Sequence, residues 1–199
     1  MNDQPLAYFI TFTVYGTFLQ GDWRLWRSRG KGSQPPQPSL EHWHRDRLKH
    51  DIILLDKPQR SAVENETARL CHFREWKLWT ANARSNHVHI VVSASDINGA
   101  RVRDQIKANC TRVLSQGLPV FVDRPVWSVG GDWKCINSES ELEQAVIYAK
   151  FRIEKTEIIS SKISRRALAP VIVEVEKMIP NVNQFRPATN IGNRRSYSR

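Results

Sequence analysis

The spacing of apolar residues changes along this chain, and each change marks an element. Ala7 to Val14 puts Tyr8, Ile10, Phe12 and Val14 on one side and Phe9, Thr11 and Thr13 on the other, the two-residue period of a strand. Gly16 and Gly21 punctuate its exit, and from Gly21 to about Leu48 the period is lost. Glycine, proline and arginine dominate there, and Gln34-Pro35-Pro36-Gln37-Pro38 reads as irregular. Asp56, with Pro58 just after it, predicts the start of a helix running to about Arg74, with Val63, Leu70 and Phe73 toward the core. Trp76 to Ala83 predicts a strand that turns through Arg84 to Asn86 into the apolar run ending at Ala94, forming a hairpin. A second helix is predicted from about Asn98 to Gln116, buried through Val102, Ile106, Val113 and Leu114 and stopped by Gly117. Pro119 to Cys135 holds short apolar pieces, one of which should supply a fourth strand. Ser138 or Glu139 then opens a third helix reaching about Lys155.

Strand, helix, strand, strand, helix, strand is the split βαβ order of a ferredoxin-like α+β fold. The expectation is an antiparallel sheet with helices on one face and an open face on the other, plus a C-terminal helix. A chain of 199 residues, 40% hydrophobic, suits one domain with extensions. We place that domain at residues 1–157, with a basic loop insertion over about 21–50. Residues 158–199 form a C-terminal extension, expected to be loosely ordered from about Pro180.

The second strand of the hairpin carries the most informative chemistry. In Asn86-His87-Val88-His89-Ile90-Val91-Val92, alternation puts His87, His89 and Val91 on one face and Val88, Ile90 and Val92 on the other. The all-aliphatic face should be buried, leaving two imidazoles side by side on the open one. Neutral imidazole is a common metal ligand, and two on a rigid strand can hold one ion. His42-Trp43-His44 has the same spacing but sits among Glu41, Arg45, Asp46, Arg47 and Lys49 without apolar alternation, so it reads as a solvated loop or the start of a short helix.

Charge narrows the partner. A net charge of +10 points to a polyanion, whose counterions Lys and Arg displace. Seven tryptophans beside thirty basic residues favour nucleic acid over a membrane surface, because bases stack on aromatic rings. Cys71, Cys110 and Cys135 are widely spaced and odd in number, which argues for a reducing compartment and against a disulfide framework or structural zinc. With neither a signal-like N-terminus nor an apolar run of membrane-spanning length, the chain reads as cytoplasmic and membrane-free. Arg103 and Lys107 lie one turn apart on the second helix, either as ordinary solvated charges or as phosphate contacts.

Three stretches together carry a family resemblance: Tyr8-Phe9-Ile10-Thr11-Phe12-Thr13 with Tyr15-Gly16-Thr17, the histidine strand, and Ala145-Val146-Ile147-Tyr148. Ile106-Lys107-Ala108 and Thr111-Arg112 add to it. Over roughly residues 7–155 the chain resembles the HUH nucleases, and more closely the single-tyrosine transposases that include the REP-associated tyrosine transposases. The resemblance implies a metal-dependent enzyme that cuts and rejoins single-stranded DNA near a hairpin. His87 and His89 would hold Mg²⁺ or Mn²⁺, and Tyr148 would attack the phosphorus to give a 5′-phosphotyrosine. Arg84, Arg103, Lys107, Arg112 and Arg152 would contact DNA, with bases stacking on Trp23 or Trp26. A homodimer is compatible with the family, whose members exchange the tyrosine helix.

Tyr148 passes one test of its own. If Leu142, Ala145, Val146, Ala149 and Ile153 form the apolar stripe, Tyr148 lies about 120° from its centre, beside Gln144, Arg152 and Lys155. The chain also departs from the family, whose members place a metal-binding glutamine about one turn after the tyrosine. Phe151, Arg152 and Ile153 stand there instead, and Gln144, one turn earlier, is the candidate substitute. The alternative readings are a catalytically weakened nucleic-acid-binding regulator with the same fold and, third, an unrelated metal-dependent hydrolase.

Overall fold

A computed structural model describes residues 4–24, 26–28, 31–95 and 97–151. Strand β1 (Ala7–Thr13) is followed by a small hairpin, β2 (Trp26–Ser28) with β3 (Gly32–Gln34), and by helices α1 (Pro38–Arg45) and α2 (Lys57–Phe73). Then come β4 (Lys77–Ala83), β5 (His87–Ser93), α3 (Gly99–Gly117), β6 (Asp132–Ile136) and α4 (Glu139–Phe151). The main sheet is antiparallel in the order β4-β5-β1-β6, so β1 sits inside it with β5 and β6 as neighbours.

An interior strand with both faces covered should bury successive residues, and Ala7 through Phe12 are all buried. On one face Tyr8, Ile10, Phe12, Val88, Ile90 and Val92 pack with Val63 and Leu70 of α2 and Val102, Ile106 and Leu114 of α3. On the other, Phe9 and Val91 pack with Leu142, Ala145, Tyr148 and Ala149 of α4. The α+β class and the antiparallel sheet match expectation, but the helices do not keep to one face. The histidine face is covered by α4, because a sheet face carrying Phe9 of β1 and Val91 of β5 as well as the histidines presents too much apolar surface to leave in water.

Local chemistry explains the element ends. Asp56 caps α2 by accepting from the Gln59 backbone N–H while the Gln59 side chain accepts from the Asp56 N–H, a reciprocal box worth about 1 kcal/mol or more. Asn98 caps α3 through the Arg101 N–H at 2.9 Å. Ser138 Oγ accepts from the Glu141 N–H at 3.2 Å at the start of α4. Gly131, with φ of +125°, brings the chain into β6 where an added Cβ would lie 2.8 Å from the Thr11 carbonyl oxygen, so no other residue fits without a shift.

Several expectations need correction. Phe73 is 71% exposed, since α2 turns its last residue past the edge of the core. Val113 is only partly buried, and Leu118, extended, rather than Gly117, caps α3. The insertion is not structureless: Gln34 closes the β2–β3 hairpin, and Pro38 occupies the first helical position of α1, where its missing N–H costs nothing. His42 and His44 lie on that short helix. Residues 152–199, and with them Arg152, the C-terminal extension and its expected disorder, lie outside the described residues. Among the described residues no helix is long and apolar enough to cross a membrane.

Candidate active site

The antiparallel register sets the site before any side chain is considered. Thr11 pairs with His89 and Thr13 with His87, so the polar side of β1 lies directly across from the two imidazoles. Thr11 Oγ1 is 2.9 Å from His89 Nδ1. His87 Nδ1 is 2.6 Å from Asn86 Oδ1, and because an amide oxygen only accepts, His87 donates through Nδ1–H. A neutral imidazole protonated at Nδ1 carries its lone pair on Nε2, the atom suited to a metal. Asn86 is itself fixed, its carbonyl accepting from Val14 N–H at 2.8 Å and Thr17 Oγ1 at 3.0 Å.

The rings of His87 and His89 stand 4.5 Å apart at 69°. Phe9 stacks on His89 with centroids 5.5 Å apart and 25° between planes. Tyr148 closes the group from α4, 5.6 Å from His89 and 5.7 Å from Phe9, edge-on to both. His87 is half-buried, His89 is 1% exposed and Tyr148 2%. Tyr148 is therefore not on a polar flank as its helical angle predicted. The buried stripe of α4 is rotated toward it, with Val146 and Ile147 only partly buried, because the surface α4 covers is built of rings.

Two imidazoles are a partial metal site. Among the described residues no cluster of three or more His, Cys, Asp or Glu side chains could hold an ion, so any further positions would fall to water, phosphate oxygens or an amide. Gln144 lies one turn before Tyr148, half-buried.

The predicted DNA contacts separate. Arg84 stays at the histidine end: its N–H donates to the His87 carbonyl at 2.7 Å and its Nη2 to the Lys150 carbonyl on α4 at 3.3 Å. Arg103 and Lys107 are not surface charges. Arg103 is buried and donates to the Gly131 carbonyl at 2.9 Å, and Lys107 Nζ donates to the carbonyls of Ser128 and Gly130 at 2.8 and 2.6 Å. They fasten α3 to the loop before β6, on the side of Phe12 and away from the histidines. Burial, ahead of the nearby Arg103 charge, lowers the Lys107 ammonium to about 8. Arg112 reaches Glu66 on α2 at 3.2 Å, also across the α2–α3 layer. Glu66 accepts Arg69 at 2.7 Å as well, and the Arg69 hydrogen bond above all holds its carboxyl below the ordinary range. Trp26 is 8% exposed, with Nε1 on the Pro35 carbonyl, whereas Trp23 is 69% exposed.

Thr11, Asn86 and Phe9 complete the site and were not among the predicted residues. The signal for Thr11 lay in β1's alternation, but only the strand register assigns it to His89.

No family model matches the chain, and no curated protein does. Among solved structures the chain is similar to a REP-associated tyrosine transposase bound to a REP hairpin, at 12% identity and a TM-score of 0.45. That match covers 87% of this chain and 72% of the other. The similarity is distant and says nothing of which residues act.

Proposed function

We propose that this chain cleaves and rejoins single-stranded DNA, with Tyr148 as the nucleophile and His87 and His89 as ligands of a divalent metal. The observation that carries the reading is the meeting of Tyr148 with the histidine pair: a phenol ring from α4 packs 5.6 Å from His89, whose ring is 4.5 Å from His87. Phenol, imidazole pair and basic surroundings form the set that phosphoryl transfer to tyrosine needs. The order β4-β5-β1-β6, that of a ferredoxin-like split βαβ sheet, is consistent with it.

In this reading Tyr148 loses its phenolic proton and its oxygen attacks the phosphorus. The bond to the 3′-oxygen breaks, that oxygen takes up a proton, and the 5′ end stays on the enzyme as a phosphotyrosine. A 3′-hydroxyl from a second end reverses the step and joins the strands without ATP. A bound Mg²⁺ or Mn²⁺ would supply charge neutralisation at the phosphate. Asn86 and Thr11 hold the imidazoles in the ligating orientation, Gln144 is the candidate third donor, and Arg84 steadies the strand beside the site.

One observation favours a binding protein without chemistry. With Tyr148 at 2% and His89 at 1% exposure, a phosphate reaches the hydroxyl only if α4 moves. The test is incubation of the full chain with labelled hairpin-containing single-stranded DNA and Mn²⁺, followed by a denaturing gel. A covalent band that Tyr148→Phe abolishes and His87→Ala reduces at least about tenfold supports cleavage. Binding with no such band across varied hairpins supports the regulator, and a band that persists in Tyr148→Phe assigns the nucleophile elsewhere.

A further inference from the structure

The end of the sheet where β1 leaves β5 holds a polar pocket that the chemistry above does not use. A cavity of about 480 Å³ opens between the loop after α1 and the segment after α3, lined by Arg45, Lys49, His50, Asp51 and Arg124 among others. Three permanent cations thus face one carboxylate, with Glu41 paired to Arg45 at 2.5 Å beside it.

The walls are fixed. Arg124 Nη2 donates to the Asp51 carbonyl, clipping the two segments together. Arg124 also lines the cavity, and its guanidinium, like those of other arginines, can take a phosphate oxygen through a charge-assisted hydrogen bond. The Lys49 N–H donates to Tyr15 Oη at 3.0 Å, and the Tyr15 ring meets His50 edge-on at 6.0 Å. At Gly16, where φ is +73°, an added Cβ would lie 2.8 Å from Ile52, so the loop is seated tightly on the exit of β1.

That exit is also the histidine end of the sheet. Thr13 pairs with His87, Val14 N–H donates to the Asn86 carbonyl at 2.8 Å, and Tyr15 N–H donates to the Val126 carbonyl at 2.9 Å, two residues beyond Arg124. Pocket and histidines therefore share one short stretch of backbone.

We infer that this pocket binds a backbone phosphate of single-stranded DNA, flanking the phosphate presented to Tyr148. The inference rests on the proposed nucleic-acid substrate and gives it a docking point. Phosphate contacts set register without reading bases, which is what a cleavage site needs if the strand is to enter at a fixed offset.

The test measures affinity of the full chain for labelled single-stranded DNA against salt, for wild type, Lys49→Gln, Arg124→Gln and the control Lys31→Gln. Each pocket variant is expected to bind several-fold to about tenfold more weakly at low salt and to flatten the slope of log affinity on log salt by about 0.7, one phosphate's worth for a single strand. A methylphosphonate at the contacted position should cause the same loss in wild type and no further loss in Lys49→Gln. Wild-type affinity and slope in both pocket variants, or an equal loss in Lys31→Gln, overturns the proposal. So does inorganic phosphate that raises the melting temperature of wild type but not of the variants while DNA affinity is unmoved, since the pocket would then take a free anion. If Arg124→Gln fails to fold, Lys49→Gln decides, because it leaves the backbone bond to Tyr15 in place. At saturating DNA wild type should form the Tyr148 adduct at one position, and the pocket variants should spread it over neighbouring positions because the register contact is lost. If wild type forms none yet the binding losses appear, the pocket stands and the cleavage reading falls.

Discussion

Tyr148 has two roles that substitution can separate. Its ring is part of the packing between α4 and the sheet, against Phe9 and His89, while its hydroxyl is the proposed nucleophile. Tyr148→Phe keeps the ring and should change stability by less than about 1.5 kcal/mol, whereas Tyr148→Ala leaves a ring-sized cavity and should cost about 3–5 kcal/mol. Urea denaturation of both variants checks this, and equal losses would mean that the hydroxyl, not the ring, carries the packing. Asn86 offers a second separation. It touches His87 Nδ1 at 2.6 Å and orients the ring, so Asn86→Ala should weaken Mn²⁺ binding about 10–100-fold with little change in melting temperature. Calorimetric Mn²⁺ titration tests it, and unchanged affinity would remove Asn86 from the site. At this scale alternation in the sequence already put His87 and His89 on one face. It could not show Thr11 or Phe9 beside them, because those contacts depend on how β1 and β5 slide past each other.

The elements built on strong local signals were the legible ones: β1, the β4–β5 hairpin, and α2 with its Asp56–Gln59 box. The insertion was not, since β2 and β3 have three residues each and too little sequence to show a period. For α4 the helix was legible but its rotation was not. An aliphatic stripe put Tyr148 on the flank; the sheet face awaiting it, with Phe9 and His89, turned it inward. The far end of α4 is held by Asn82, whose Nδ2 donates to the carbonyls of Ala149 and Lys150 at 2.8 and 3.1 Å. Asn82→Ala should therefore cost about 1 kcal/mol overall and speed amide hydrogen exchange selectively across α4. If α4 must lift for DNA to reach Tyr148, the same variant should raise adduct yield, the opposite of what loss of a catalytic residue would do. Uniform acceleration of exchange across the sheet would mean that α4 and the sheet open as one unit.

At the scale of the whole molecule, Tyr8, Cys71, Lys107 and Cys110, four groups whose titration folding perturbs, lie in or face the α2–α3 layer, so alkaline pH tests the packing of that layer. Burial raises the Cys71 thiol to about 11 and the Cys110 thiol to about 12, and Tyr8 is raised too, first by burial and then by the nearby Cys135. Thr67 Oγ1, 3.7 Å from Cys110 Sγ, offsets only part of that. For each thiol the unfolded chain releases its proton near 9 while the folded chain retains it, so stability is fully present below about 9 and is lost as pH rises toward 11–12. Lys107 works the other way: its ammonium, lowered to about 8, is disfavoured in the folded state, so stability is gained as pH rises from about 8 to 10.5. Two thiols oppose one lysine, and the expected result is a melting temperature nearly level from pH 8 to 9 that then falls by several degrees by pH 10.5. Replacing Cys71 and Cys110 with Ala should lower stability at every pH but abolish that fall, while Lys107→Met should steepen it. Parallel pH profiles for wild type and the double cysteine variant would show that the α2–α3 layer does not hold these thiols protonated.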